Sequence, residues 1–107
     1  MDETVKKITP QGLKERLKND DIVLIDVREY NEWIYCRIEG AELIPLAKIY
    51  DRNIPREDKS IVVYCHTGQR SYHAAQVLLQ RGYTDVYNLE GGIDAYARTV
   101  NPEIPRY

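Results

Sequence analysis

Short apolar runs alternate along this chain with stretches of helical period. Thr9-Pro10 marks a helix start, with Thr as N-cap and Pro at the first helical position. Leu13 and Leu17 then share a face, four apart, while Lys14, Glu15, Arg16 and Lys18 face water and Asn19-Asp20-Asp21 closes the helix. Residues 22–27 are a near-continuous apolar run that Asp26 interrupts near its end, as in a parallel strand covered on both faces. Residues 29–36 predict a short helix with Tyr30, Trp33 and Ile34 inward. Gly40 permits a turn, residues 41–44 make a short strand stopped by Pro45, and Leu46, Ile49 and Tyr50 mark one or two helical turns. Residues 51–59 form a polar loop containing Pro55. A buried-strand run follows at 61–64, then helical spacing at Ala74, Ala75, Val77, Leu78 and Leu79, with Gly82 as C-cap. Residues 85–89 are a further strand, and Gly91-Gly92 turns into a helix carrying Ile93, Tyr96, Ala97 and Val100, which Pro102 and Pro105 stop. This alternation implies right-handed βαβ units and a parallel sheet with helices on both faces. Strand ends at Val27-Arg28, Pro45-Leu46, Cys65 and Glu90-Gly91 then converge on one edge, where open α/β sheets bind ligands.

Residues 61–81, IVVYCHTGQRSYHAAQVLLQR, concentrate the chemistry. Cys65 stands at the carboxyl end of a strand, in a short loop that runs into a helix. Loop N–H groups and the free N–H groups of the first helical turn form an anion-binding concavity. The same field favours a thiolate, the form in which cysteine is reactive. Gly68 gives the loop dihedrals closed to other residues, and Arg70 adds positive charge at the rim.

Composition narrows the setting. The 107 residues suit one domain, with 30% charged and 43% apolar residues. A net charge of −2 and no basic run interleaved with aromatics argue against nucleic acid or anionic membrane as direct partners. No apolar stretch reaches transmembrane length, and MDETVKKITP lacks the order of a signal peptide. Two cysteines without a framework suggest a reducing compartment, with cytoplasm expected. Phe is absent and Tyr occurs nine times, so several tyrosines are expected to fill the core with the hydroxyl at its rim. The two cysteines and two histidines show no metal-ligand spacing.

Strand–CxxGxR–helix, written here as CHTGQRS, resembles the active-site loop of the rhodanese-like sulfurtransferases. Three more segments fit in order: residues 24–28 (LIDVR) resemble the family's D-x-R strand end, 38–46 (IEGAELIPL) its I-x-G-A-x-x-I-P-L segment, and 89–93 (LEGGI) its L-x-G-G motif. The resemblance implies a single three-layer rhodanese-like domain over residues 1–107, with a parallel sheet of about five strands. It implies that Cys65 is a nucleophile carrying sulfane sulfur as a persulfide, held by the loop amides of His66, Thr67, Gly68, Gln69, Arg70 and Ser71. It implies no cofactor, a thiosulfate or persulfide donor, a thiol, cyanide or protein acceptor, and a monomer or weak homodimer. Cys36-Arg37 departs from the family's usual Gly-His; that segment is expected at the amino edge of the sheet, away from Cys65.

Each candidate has a plainer alternative. Cys65 alone could be a buried hydrophobe, but Gly68 and Arg70 at fixed offsets and the following helix favour the nucleophile. Arg70 could be a solvated first-turn residue; a cation at a helix's positive end is unfavourable, which suggests an anion-binding role. His66 reads as a pocket-wall residue and His73 as a helix-surface residue, neither catalytic. Asp26 and Arg28 look functional because they lie at the ligand edge, but the resemblance implies structural roles: Asp26 organises the strand end and Arg28 pairs with a helix carboxylate, for which Glu32, four residues on, is the expected partner. Three functions compete: a sulfurtransferase, a cysteine phosphatase, and a non-catalytic or relay module in cofactor or tRNA sulfuration. Phosphatase loops of the related type place Arg six residues after Cys, whereas Arg70 is five after Cys65 and Ser71 occupies the sixth position. The tail TVNPEIPRY resembles the carboxyl end of rhodanese domains fused to ubiquitin-like-activating enzymes, which favours a protein acceptor.

Overall fold

The computed structural model describes residues 4–54 and 58–107, so Pro55 of the expected polar loop lies outside the described residues. One five-stranded parallel sheet runs β1 (Lys6–Ile8), β5 (Val86–Leu89), β4 (Ser60–Tyr64), β2 (Ile22–Asp26), β3 (Glu42–Leu43) across its width. Helices α1 (Pro10–Leu17), α2 (Tyr30–Tyr35) and α3 (Gln69–Gln80) connect strands, a 3-10 turn at Leu46–Lys48 lies between β3 and β4, and α4 (Gly92–Thr99) follows β5. No helix among the described residues is long and apolar enough to cross a membrane.

The strand period of two divides the core. Ile61, Val63 and Cys65 pack on one side of the sheet with Ala74, Ala75 and Leu78 of α3. Val62 and Tyr64 pack on the other side with Leu13 of α1 and Ile93 and Tyr96 of α4. β4 is buried along its whole length, and each such aliphatic side chain contributes roughly 1.5–3 kcal/mol by leaving water. Parity therefore places the cysteine that follows Tyr64 on the α3 side.

Three local expectations change. β1 was not predicted from the chain: Lys6 and Lys7 are exposed, Ile8 is its one buried residue, and the strand exists through its register with β5, where Ile8 lies beside Leu89. The lysines also guard a sheet edge against further pairing. Tyr30 and Ile34, expected inward, are 65% and 59% exposed. α2 is a single six-residue helix that opens on a capping box between Glu29 and Glu32 and fully buries none of its residues. Among the tyrosines, Tyr64, Tyr83 and Tyr96 are buried, but the hydroxyls of Tyr64 and Tyr83 accept from the loop amides of Ile38 (3.1 Å) and Ile54 (2.9 Å) instead of reaching the rim.

At the end of β2, Asp26 and Arg28 are both fully buried. Asp26 accepts from the Arg28 amide (2.9 Å), Nε (3.0 Å) and Nη2 (2.7 Å), so it organises the strand end as expected. The expected Arg28–Glu32 pair does not form. Arg28 instead spends its remaining donors on the Cys36 carbonyl (2.6 Å) and the Tyr107 hydroxyl (2.8 Å). Burial opposes the guanidinium charge, but the Asp26 and Tyr107 hydrogen bonds outweigh it and Arg28 is held protonated. Cys36 also lies nearer the Arg28 network than expected, its Sγ 3.8 Å from Nη1. The six residues of α2 rise only about 9 Å, too little to carry the chain back across the sheet before Cys36.

Asp26→Ala should destabilise the fold by roughly 3–5 kcal/mol, because it strands a buried guanidinium. Urea unfolding at neutral pH measures this, and a loss under about 1 kcal/mol would contradict the pairing described.

Candidate active site

The loop after β4 turns its amides toward sulfur. Cys65 is 1% exposed. Its Sγ accepts from the Gly68 amide at 3.1 Å and the Ser71 amide at 3.4 Å, and Ser71 Oγ lies 3.3 Å away. Ser71 is the third residue of α3, so its N–H has no acceptor within the helix and is available to the sulfur. Gly68 enters the helix with φ +118°, a conformation that favours glycine.

The other side of the loop is held by α4. The Ile93 amide donates to the Cys65 carbonyl (2.9 Å) and the Asp94 amide to the His66 carbonyl (3.1 Å). The approach is close: a Cβ built on Gly92 would stand 2.6 Å from the Cys65 carbonyl oxygen and nearer still to that of His66. Gly92 also has φ +63°.

Arg70 leaves the loop for α2. Its two terminal nitrogens meet the Glu32 carboxylate at 2.8 and 3.0 Å. The Arg70 hydrogen bond, helped by donation from the Glu29 amide and Tyr107, holds the Glu32 carboxyl at about 2. The same pairing raises the Arg70 guanidinium. Tyr107 joins the cluster: its hydroxyl donates to Glu32 (2.7 Å) while accepting from Arg28. Chiefly through burial, its phenol is pushed up to about 12. The Tyr107 ring stacks on His66 with centroids 4.0 Å apart and planes 10° apart, and His66 Nε2 lies 3.0 Å from the Tyr107 carbonyl oxygen.

The structure therefore brings Cys65, His66, Gly68, Arg70 and Ser71 together, with Thr67 and Gln69 exposed on the outer side of the turn. Asp26 and Arg28 sit behind them, joined through Tyr107. His73 is exposed on α3 and meets the Tyr50 hydroxyl at 2.8 Å, away from the sulfur contacts. Three residues were missed in the sequence as parts of the site. Glu32 pairs with Arg70 and not with the expected Arg28, and its place in a capping box with Glu29 is the local sign that its orientation is fixed. Asn88 breaks the apolar run of β5, which is its one signal in the sequence. Tyr107 carried no local signal.

A rhodanese-like domain model matches residues 9–99. The chain belongs to the rhodanese-like family. A sulfurtransferase of Allochromatium vinosum is 40% identical over 97 residues, covering 88% of this chain and 90% of that protein. A probable adenylyltransferase/sulfurtransferase MoeZ of Mycobacterium tuberculosis is 37% identical over 105 residues; the match takes 94% of this chain but 26% of that protein, so the chain spans about a quarter of that relative's length. Among solved structures, a rhodanese-related protein of Thermoplasma volcanium superposes with TM-score 0.81 at 29% identity, over 95% of this chain and 99% of that one.

The Glu32–Arg70 pair has a definite acid signature. The Glu32 carboxyl is held at about 2 against an ordinary 4.5, so its stabilisation is fully present above about 4.5 and is lost as pH falls toward 2. Chemical denaturation of wild type and Glu32→Gln across that window should show wild type more stable at pH 7, with the gap closing by pH 2. A gap independent of pH would contradict the pairing.

Proposed function

We propose that this chain is a sulfurtransferase that carries sulfane sulfur as a persulfide on Cys65. The observation that supports it is the convergence of the Gly68 and Ser71 amides on a cysteine sulfur at a strand–helix turn. In the first half-reaction the Cys65 thiolate attacks the outer sulfur of thiosulfate. A new S–S bond forms, the donor S–S bond breaks, and sulfite leaves with the electron pair. The negative charge now lies on the terminal sulfur, and the loop amides from His66 to Ser71 supply preorganised donors for it. In the second half-reaction a thiophilic acceptor attacks that sulfur and Cys65 leaves as thiolate. No general base is needed, since no proton moves in either displacement, and neither His66 nor His73 contacts Sγ at hydrogen-bond distance. The donor is thiosulfate or a protein persulfide.

A relay role with a protein acceptor is the second reading. It is favoured by the likeness to MoeZ, whose name joins adenylyl transfer to sulfur transfer and of which this chain matches a quarter. The phosphatase reading is the weakest: Arg70 comes one residue early for a phosphate cradle.

Incubation with thiosulfate followed by intact-mass measurement should show one labile added sulfur on Cys65, absent in a folded Cys65→Ser variant. Sulfur turnover by that variant, or efficient aryl phosphate hydrolysis by wild type without sulfur loading, would overturn the assignment.

Arg70 offers a separate check. Arg70→Ala leaves the Glu32 carboxylate uncompensated beside the loop and removes the cation that an anionic donor meets. The expected loss is roughly 1.5–3 kcal/mol, or about ten- to a hundredfold in kcat/KM for thiosulfate, borne more by KM than by kcat. Loading from a neutral or protein donor should persist. An effect confined to kcat contradicts the recruiting role.

A further inference from the structure

Asn88 spans the Cys65 loop from outside it. It lies on β5 in register with Val63 of β4. Its Nδ2 donates to the Gly68 carbonyl at 3.1 Å, and its Oδ1 accepts from Ser71 Oγ at 2.6 Å. These two contacts fix the amide, because a flipped amide would set two acceptor oxygens, its own and that of Gly68, against each other. The Ser71 hydroxyl has one proton. Directed to Asn88, that proton cannot also serve Cys65 Sγ, which lies 3.3 Å from the same oxygen.

We propose that Asn88 is a positioning residue that turns the Ser71 hydroxyl away from Cys65, so that the sulfur faces an oxygen lone pair. The loop amides favour negative charge on Sγ, and the Ser71 oxygen opposes it. A neutral thiol instead donates its S–H to Ser71 Oγ, which continues the chain of donation to Asn88. Of the charged groups beside the loop, Arg70 is engaged with Glu32 and its charge favours a negative Cys65, on the side of the amides, while His66 is turned to Tyr107. The consequence for sulfur transfer rests on the sulfur-carrying reading of Cys65. Once sulfur is loaded, the charge sits on the terminal atom and Sγ is an uncharged bridge that tolerates the lone pair. The Ser71–Asn88 pair thus disfavours the bare thiolate relative to the persulfide, and biases the site toward holding sulfur over releasing it.

The test is the rate of Cys65 alkylation by iodoacetamide at neutral pH, with peptide mapping to separate Cys36, in wild type, Asn88→Leu, Ser71→Ala and the double variant. Asn88→Leu frees the hydroxyl to donate to the thiolate, and alkylation should rise about tenfold. In the Ser71→Ala background the same change should alter the rate less than about twofold. Ser71→Ala alone removes the thiol's acceptor and should speed alkylation. An equal acceleration by Asn88→Leu in both backgrounds means a loosened loop and overturns the proposal, as does an unchanged rate. If Asn88→Leu does not fold, Ser71→Ala decides by sign, since slower alkylation means that Ser71 donates to the thiolate. Loading at a fixed thiosulfate-to-sulfite ratio should fall in Asn88→Leu. Failure of wild type to load any sulfur removes the carrier reading, while the alkylation cycle still decides the role of Asn88.

Discussion

The site depends on where two peptide carbonyls go. Buried carbonyls of a loop whose N–H groups face an anion must find their donors elsewhere. Here the first turn of α4 takes the carbonyls of Cys65 and His66 through the Ile93 and Asp94 amides. That arrangement leaves the loop's inner side to the sulfur. It also explains the paired glycines of the LEGG segment: they are the means by which one backbone approaches another, since a side chain at Gly92 would collide with both carbonyls. The α3 amides that reach Sγ and the α4 amides that reach behind it act as the two jaws of one clamp. β4 and β5 set the distance between the jaws by their pairing.

A second constraint is the charged chain that backs the loop. It runs from Asp26 through Arg28 and the Tyr107 hydroxyl to Glu32 and ends at Arg70. Its inner end is fully buried and its outer end is partly open to solvent. Buried ion pairs are poor sources of net stability because desolvation offsets attraction. Their effect here is geometric, since each member has its donors or acceptors committed in a fixed direction. Arg70, which looks from its position alone like a free cation at a helix start, is thereby tied to α2. Tyr107 couples this chain to His66 by stacking, so the carboxyl-terminal segment shapes the same edge as the cysteine loop.

Much of this was legible in the chain. The strands at 22–27, 61–64 and 85–89, the helix capped by Thr9, and the helix after Gly68 follow from local chemistry: apolar runs, a side-chain cap, and glycines where φ is positive. Cys65 at a strand end before a helix follows from the same signals, because strand parity and the strand-to-helix turn act within a few residues.

What lay beyond reach involved partners distant in sequence. Glu32 stands four residues from Arg28 and 38 from Arg70, yet it pairs with Arg70, because Arg28 is already saturated by Asp26, Cys36 and Tyr107. β1 forms because β5 offers it an edge, not because Lys6-Lys7-Ile8 has a strand pattern. Tyr30 and Ile34 face water on a six-residue helix that fully buries none of its residues. Asn88 and Tyr107 reach the site across 17 and 41 residues of chain, to Ser71 and His66 respectively. Local pattern determined which elements form and where the cysteine stands among them. Only the packed sheet decided which polar groups meet around it, since hydrogen bonds between segments depend on register and helix rotation, and neither is encoded within any one segment.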